Sequence, residues 1–327
     1  MLKCLYFMPT LNCNCRCTYC YIPDKKYNSI LTEQDYCQII DKYKKYSAGY
    51  LPYPEKFQLR FTGGEPYLTS PLVEDLSNYF LSQFPQGLVV INTNGTLINE
   101  QNLSRFNGKF KSSLVHVLSV DSIEKIHNIR RPLVNGQNSF EKTIQAFNLL
   151  QHQQYPVYIN SVIDQQTCDY IDEFFYYLKS ELRTGDISIS LRQDSTDSLS
   201  RNTKFNFLTR IYKLASQFNI RVSGHHRLLL GNQIPELKCQ AGKTTAVITS
   251  QARVYPCQRF VGTDVFKSIS THRLDFKRAD NFTDIQPHCY SPDNLWLGEK
   301  LFELYEKHYP YYLKINELDR ILFGVVD

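Results

Sequence analysis

Four of the ten cysteines crowd between Cys13 and Cys20, and three more, Cys239, Cys257 and Cys289, lie in the last third of the chain. Cys4, Cys37 and Cys168 stand apart. Thiolates at such spacing are metal ligands or redox groups before they are anything else. Cys13, Cys17 and Cys20 are separated by three and then two residues. Three thiolates on so tight a loop suit a cubane iron–sulfur cluster whose fourth iron has no protein ligand, whereas four would close the site. The same segment can also be read as a zinc knuckle, since four close cysteines can enclose a tetrahedral ion. Cys15 complicates the choice, because Cys15, Cys17 and Cys20 form a second candidate triplet; we read Cys15 as pointing elsewhere.

These residues need a scaffold, and the hydrophobic pattern describes one. Up to about residue 220, short β-branched or aromatic runs alternate with longer amphipathic stretches, the pattern of repeated βα units around a parallel sheet. Strands are expected at Leu2–Met8, Lys56–Phe61, Leu88–Asn92, Leu114–Ser119, Pro156–Ile163 and Asp186–Leu191, with helices between. Thr32 with Asp35 reads as a capping box, Ser70 before Pro71 as an N-cap, and Ser139 as the start of a helix carrying Phe140, Ile144 and Phe147 on one face. Past about residue 222 the pattern breaks into short strands, and helical periodicity returns at Asn294–His308 and Leu313–Leu322. The expectation is two domains, 1–222 and 223–327.

Each expected strand of the first part ends on a loop with functional residue types. The cysteine segment follows the first strand. Thr62-Gly63-Gly64-Glu65-Pro66 follows the second, where two glycines admit close backbone approach and a carboxylate can accept from an ammonium. Asn92-Thr93-Asn94-Gly95 ends the third, and Ser119-Val120-Asp121-Ser122 ends the fourth, with His127 and Arg131 shortly after. In parallel α/β folds the carboxyl ends of the strands are where active sites form. Asp121 and His127 can equally serve to brace their loop.

The cysteine spacing with Tyr19 before the last thiol, followed in order by Gly-Gly-Glu-Pro and the later loops, resembles the radical S-adenosylmethionine superfamily. The resemblance covers roughly residues 3–222. It implies an α/β fold, a partial (β/α)6 TIM-like barrel, with a small C-terminal α+β auxiliary iron–sulfur domain. It implies that Cys13, Cys17 and Cys20 hold a 4Fe-4S cluster and that the backbone around Tyr19 lies near the adenine. Gly63, Gly64 and Glu65 are then expected at the methionine amine, and Asn94, Ser119 and Arg131 at the ribose and methionine carboxylate. Ser122 replaces the family's glycine.

Cys239 and Cys257 bracket an expected β-hairpin, with Cys289 some thirty residues on. This resembles the auxiliary-cluster extension called SPASM or its shorter Twitch form, with Ala252 or Arg253 at the family's glycine and without the crowded cysteine series of the full extension. One auxiliary 4Fe-4S cluster on Cys239, Cys257 and Cys289 is implied, its fourth position open to Cys168, His288, Asp293, a substrate group or water. Three cysteines that merely pack, or a zinc site with His288, are the other readings. The resemblance also implies S-adenosylmethionine as cosubstrate, a peptide or protein substrate, and an external electron donor such as flavodoxin or ferredoxin. Crosslinking, oxidation or epimerisation of a ribosomal peptide is the expected chemistry. Its rivals are a sulfatase-maturating type of oxidase, a small-molecule or RNA-modifying radical enzyme, and a noncatalytic iron–sulfur or zinc scaffold. No catalytic base is identified. Because the cluster segment starts at residue 13, a precursor's leader is expected to bind the barrel, the C-terminal part or a partner.

Composition bounds the rest. At 42% apolar and 21% charged residues the 327-residue chain has the make-up of a globular protein. Its net charge of +5 is spread out, and the densest run, Lys42 to Lys45, belongs on a solvated helix face, so nothing points to nucleic acid. No apolar run reaches the roughly 18 residues of a membrane span and no signal peptide is evident, which makes a cytoplasmic protein with reduced cysteines the expectation.

Overall fold

A computed structural model describes residues 2–22, 29–48, 57–192, 199–234, 237, 239, 241–242, 244–261, 268–271, 292–314 and 319–321. In chain order the elements are β1 (Cys4–Met8), α1 (Glu33–Ser47), β2 (Gln58–Phe61), α2 (Ser70–Gln83), β3 (Leu88–Thr93), α3 (Glu100–Leu103) and β4 (Leu114–Ser119). Then follow α4 (Glu124–Arg130), α5 (Phe140–His152), β5 (Val157–Ile163), α6 (Gln165–Cys168), α7 (Ile171–Ser180), β6 (Asp186–Leu191) and α8 (Arg201–Phe218). The chain continues with β7 (Arg221–Ser223), β8 (Thr245–Thr249), β9 (Arg253–Tyr255), β10 (Ile269–Ser270) and α9 (Pro292–His308). This is an α/β fold with an open, mostly parallel sheet. Its residues divide into two compact units, one of 1–118, 133–157 and 240–285 and one of 119–132, 158–239 and 286–327.

In the first unit the strands lie in the order β10-β9-β8-β1-β2-β3-β4. β8, β1, β2, β3 and β4 run parallel, while β9 and β10 are antiparallel additions at the edge. Parallel strands are covered on both faces and so read as nearly continuous apolar runs. All four residues of β2 and the first four of β3 are accordingly buried. One face packs on helices: Phe7 meets Tyr36 of α1 at 4.8 Å between ring centroids and Phe61 at 6.2 Å. Tyr43, Phe57 and Phe84 close a triangle of rings at 5.4–5.6 Å, and the Tyr43 hydroxyl donates to the Leu2 carbonyl at 3.0 Å. The opposite face carries Cys4, Tyr6 and Met8 with Gln58 and Arg60, a more polar row.

The Thr32–Asp35 capping box forms with both bonds present. Ser70 is not an N-cap: it is the first residue of α2, and its hydroxyl donates to Glu74 Oε1 at 2.7 Å, four residues on. Pro66 to Thr69 form a 3-10 turn that already sets the helix direction, so a cap at Ser70 has no orphan amides to serve. The hairpin β8–β9 turns at Ala252 with φ +55°, a left-handed conformation that a glycine adopts without cost.

In the second unit β5, β6 and β7 pair in parallel. β7 continues the alternation past residue 220, where the sequence pattern was expected to stop. Arg227, fully buried, donates through Nε to Asp319 Oδ1 at 2.8 Å and through its two Nη atoms to the Tyr312 and Lys314 carbonyls at 2.7 and 2.9 Å. Tyr212 packs edge-on against Tyr305 and Tyr312 at 4.7 and 4.6 Å. Among the described residues no helix is long and apolar enough to cross a membrane.

Candidate functional site

The loops after β1, β2 and β3 are fastened to one another in the first unit. Gly64 N–H donates to the Thr10 carbonyl at 3.1 Å and Glu65 N–H to the Asn12 carbonyl at 2.8 Å, tying the glycine loop to the segment that leads into Cys13. The approach is close enough to require glycines. A Cβ on Gly63, whose φ is +119°, would sit 2.7 Å from Thr10 O, and one on Gly64 would sit 1.8 Å from Asn12 O. Neither can be replaced without moving backbone.

Glu65 is 1% exposed. Its Oε1 accepts from Thr93 Oγ1 at 2.6 Å and from Tyr67 N–H at 3.1 Å, and its Oε2 accepts from Asn94 N–H at 2.8 Å. The carboxylate therefore caps the 3-10 turn at Pro66 and pins the end of β3, with one lone pair of Oε2 still to use. Burial pushes its carboxyl up to about 7, against the pull of the Thr93, Asn94 and Tyr67 donors. An ammonium approaching Oε2 would favour the ionised form.

Asn94 is likewise a fastening point. Its Nδ2 donates to Asn14 Oδ1 at 2.8 Å and lies 3.9 Å from Cys13 Sγ, and its Oδ1 accepts from Thr96 N–H and Oγ1 at 2.9 and 2.7 Å. Thr143 of α5 donates to the Asn94 carbonyl at 2.8 Å. Asn14 and Thr96 belong to this network and were not singled out from sequence. Only their neighbours in the Asn-Thr-Asn-Gly loop gave a signal.

The cysteine segment sorts its four thiols. Cys15 is fully buried and its backbone bridges to Leu133, while Cys13, Cys17 and Cys20 are half-buried. Cys15 N–H donates to Cys13 Sγ at 3.4 Å, so backbone and Asn94 amide groups both approach that sulfur. Donors of this kind stabilise a thiolate ligand. Cys17 to Cys20, with Tyr19 between, is a turn closed by Cys20 N–H on the Cys17 carbonyl at 3.2 Å. Cys20 packs beside a cluster of Met8, Leu11, Ile22, Val247 and Val261. Among the described residues no three of histidine, cysteine, aspartate and glutamate converge as one metal ion requires. A cubane instead spreads its thiolates over separate irons, and three half-buried cysteines on one loop fit it.

In the second unit Ser119 ends β4, and Asp121 braces the following loop as one of its two readings foresaw. Its carboxylate accepts from Val162 N–H at 3.1 Å, sits 3.4 Å from Arg130 Nε and 3.8 Å from Arg131 Nη1. His127 Nδ1 accepts from Asp121 N–H at 3.4 Å, and burial, then Arg131, pushes its pKa down to about 3, so it stays neutral.

Cys239 lies in the second unit and Cys257 in the first. Cys289 and His288 lie outside the described residues. Cys257 follows β9, and nearby, burial raises the Tyr6 hydroxyl far above its usual range, with Arg60 pulling the other way. Burial also pushes the Cys4 thiol up to about 11, with Arg60 pulling the other way.

Comparison with known proteins agrees with this arrangement. Residues 7–175 match the radical SAM superfamily. An uncharacterised protein of Methanocaldococcus jannaschii is 31% identical over 181 residues, 54% of this chain and 58% of its own length, so this chain spans less than two thirds of that relative. A cysteine-type anaerobic sulfatase-maturating enzyme of Clostridium novyi is 26% identical over 273 residues, 76% of this chain and 71% of that enzyme. Among solved structures, native anSMEcpe with bound AdoMet and the Kp18Cys peptide superposes with a TM-score of 0.68 at 20% identity, over 97% of this chain and 85% of that one, a likeness of fold.

Proposed function

Because the chain belongs to the radical S-adenosylmethionine superfamily, we propose that it cleaves S-adenosylmethionine reductively and takes hydrogen from a peptide or protein substrate. The observation that carries this reading is the separation of Cys13, Cys17 and Cys20 from the buried Cys15, on a loop locked to Gly63, Gly64 and Glu65. Those three half-buried thiols would hold the 4Fe-4S cluster, which when bound supplies the electron that breaks the sulfonium bond and so yields a primary carbon radical. The chain's own part is to hold and orient. Glu65 Oε2 and the carbonyls of the glycine loop receive the methionine ammonium, and Asn94 keeps the third loop in register with Cys13. The backbone at Tyr19 faces the adenine, and Ser119 with Arg131 serves the ribose and carboxylate. In this reading residues 1–222 do the radical chemistry, and 223–327 carry an auxiliary 4Fe-4S cluster on Cys239, Cys257 and Cys289.

A peptide is the favoured substrate because the sulfatase-maturating relative acts on proteins by its name and a solved neighbour of the same fold holds a peptide. Crosslinking, oxidation and epimerisation all begin with the same hydrogen abstraction. Anaerobically reconstituted protein, given dithionite or a flavodoxin or ferredoxin donor, should release 5′-deoxyadenosine. The Cys13/Cys17/Cys20→Ala variant should release none. Equal release from both would end the proposal. Coexpression with a peptide encoded beside the gene, followed by mass spectrometry, should reveal a mass change that vanishes in the same variant.

A further inference from the structure

One face of the sheet in the second unit carries a row of small polar side chains. Val120 N–H donates to the Asn160 carbonyl at 3.0 Å, which in a parallel pair sets Ser119, at the end of β4, beside Asn160 of β5. Asn160 faces Ser188 of β6, and Ser188 faces Ser223 of β7. All four residues belong to this unit. Residues in register point to the same side of a sheet, so Ser119, Asn160, Ser188 and Ser223 stand in line across it. Ser190, two residues past Ser188, shares that side. β5 is half-buried at Tyr158, Asn160 and Val162 but buried at Ile159, Ser161 and Ile163, so the side carrying Asn160 is the more open one.

Ser188 and Ser190 are both buried. A buried hydroxyl is costly unless it finds a partner, and these two find the same one: Ser188 Oγ donates to Asn160 Oδ1 at 2.8 Å and Ser190 Oγ at 3.2 Å. Two donors fill the lone pairs of that oxygen and fix which way the amide faces. The Asn160 Nδ2 group, with two hydrogens to give, has no partner among the described residues. Packing alone favours β-branched apolar residues at strand positions such as these. The two serines instead hold an amide donor ready on the open side of the sheet.

We propose that Asn160 Nδ2 donates to a ribose hydroxyl oxygen of S-adenosylmethionine, beside Ser119, and that Ser188 and Ser190 are the residues that position it. The proposal rests on the reading above in which Ser119 serves the ribose. A ribose presents two adjacent hydroxyls, each able to accept one hydrogen bond and to donate one. Neutral donors and acceptors set side by side suit such an edge, and the Asn160 amide with the neighbouring Ser119 hydroxyl supplies them. A carboxylate or an ammonium would call for a charge on the row, and Ser119, Asn160, Ser188, Ser190 and Ser223 carry none.

Equilibrium dialysis of the full-length, anaerobically reconstituted protein against S-adenosylmethionine and its 2′-deoxy and 3′-deoxy forms tests this. In the wild type at least one deoxy form should bind roughly three- to tenfold more weakly than S-adenosylmethionine. Asn160→Ala should weaken S-adenosylmethionine by about the same factor and bind that deoxy form equally well, because the hydroxyl has lost its donor. Ser188→Ala combined with Ser190→Ala frees the amide to turn and should narrow the difference; an undiminished difference would overturn the positioning role of the serines. Discrimination that persists in Asn160→Ala would overturn the assignment of Asn160. So would wild-type protein that binds all three compounds alike, a result that needs no variant and holds even if Asn160→Ala fails to fold. Wild-type protein that binds no S-adenosylmethionine would overturn the proposed function itself, and this proposal with it.

Discussion

Gly64→Ala tests whether the glycine loop truly clamps the cysteine segment. The new Cβ would lie 1.8 Å from Asn12 O, 2.5 Å from Asn12 C and 2.7 Å from Leu11 C, all backbone atoms. Contacts to carbon settle near 3.5 Å, so the Asn12 peptide must withdraw by about 1.5 Å. That peptide accepts the Glu65 N–H bond at 2.8 Å and leads directly into Cys13. Overpacking of this kind costs about 1–3 kcal/mol and the lost hydrogen bond about 1 kcal/mol more. A combined loss of about 2–4 kcal/mol lowers the melting temperature by roughly 3–6 °C in a chain of this size. Displacing Cys13 by such a distance should also reduce the iron taken up on anaerobic reconstitution. Gly185→Ala is the control, since no heavy atom lies within 4 Å of the added Cβ, and its effect should stay within about 0.5 kcal/mol. Wild-type melting and full iron loading in Gly64→Ala would refute the clamp.

Glu65 predicts a pH dependence. Because burial raises its folded pKa from 4.5 to about 7, its contribution to stability is full below about pH 4.5 and is lost as pH rises through about 7. The loss amounts to at most about 3 kcal/mol. Urea unfolding of the ligand-free protein should show this decline, and Glu65→Gln should flatten it; parallel profiles would contradict the assignment. Cys15→Ala should keep wild-type iron at a stability cost of about 1 kcal/mol, as expected for a buried thiol that only packs, and loss of iron would make Cys15 a ligand. In the second unit, Asp319→Ala strips a buried Arg227 of its counterion and should cost about 3–5 kcal/mol in chemical denaturation, whereas Arg227→Lys with wild-type stability would show that the fork of donors to Tyr312 and Lys314 is dispensable.

The features legible in the amino-acid sequence are those set by neighbours along the chain. Strands β1 to β6 fall within a residue or two of their expected spans because β-branched and aromatic runs bounded by polar loops are local signals. The Thr32–Asp35 box was readable for the same reason, three residues being its whole extent. The order of the loops, cysteine segment and then Gly-Gly-Glu-Pro, was enough to identify a radical S-adenosylmethionine protein. Everything that depends on pairing across the sheet had to wait for the tertiary structure. Spacing alone left two cysteine triplets open, and only the tertiary structure shows that Cys15 is buried with its backbone bridged to Leu133, 118 positions away. Glu65 looked like a ligand-binding carboxylate, but it is also the acceptor for Thr93 and Asn94, because β2 and β3 are adjacent in the sheet. The hairpin that follows Cys239 adds β8 beside β1, and that non-local pairing alone sets Cys4 opposite Thr245. A local pattern says which residues form a strand; which strands become neighbours is decided by the closure of long loops and the burial of both faces.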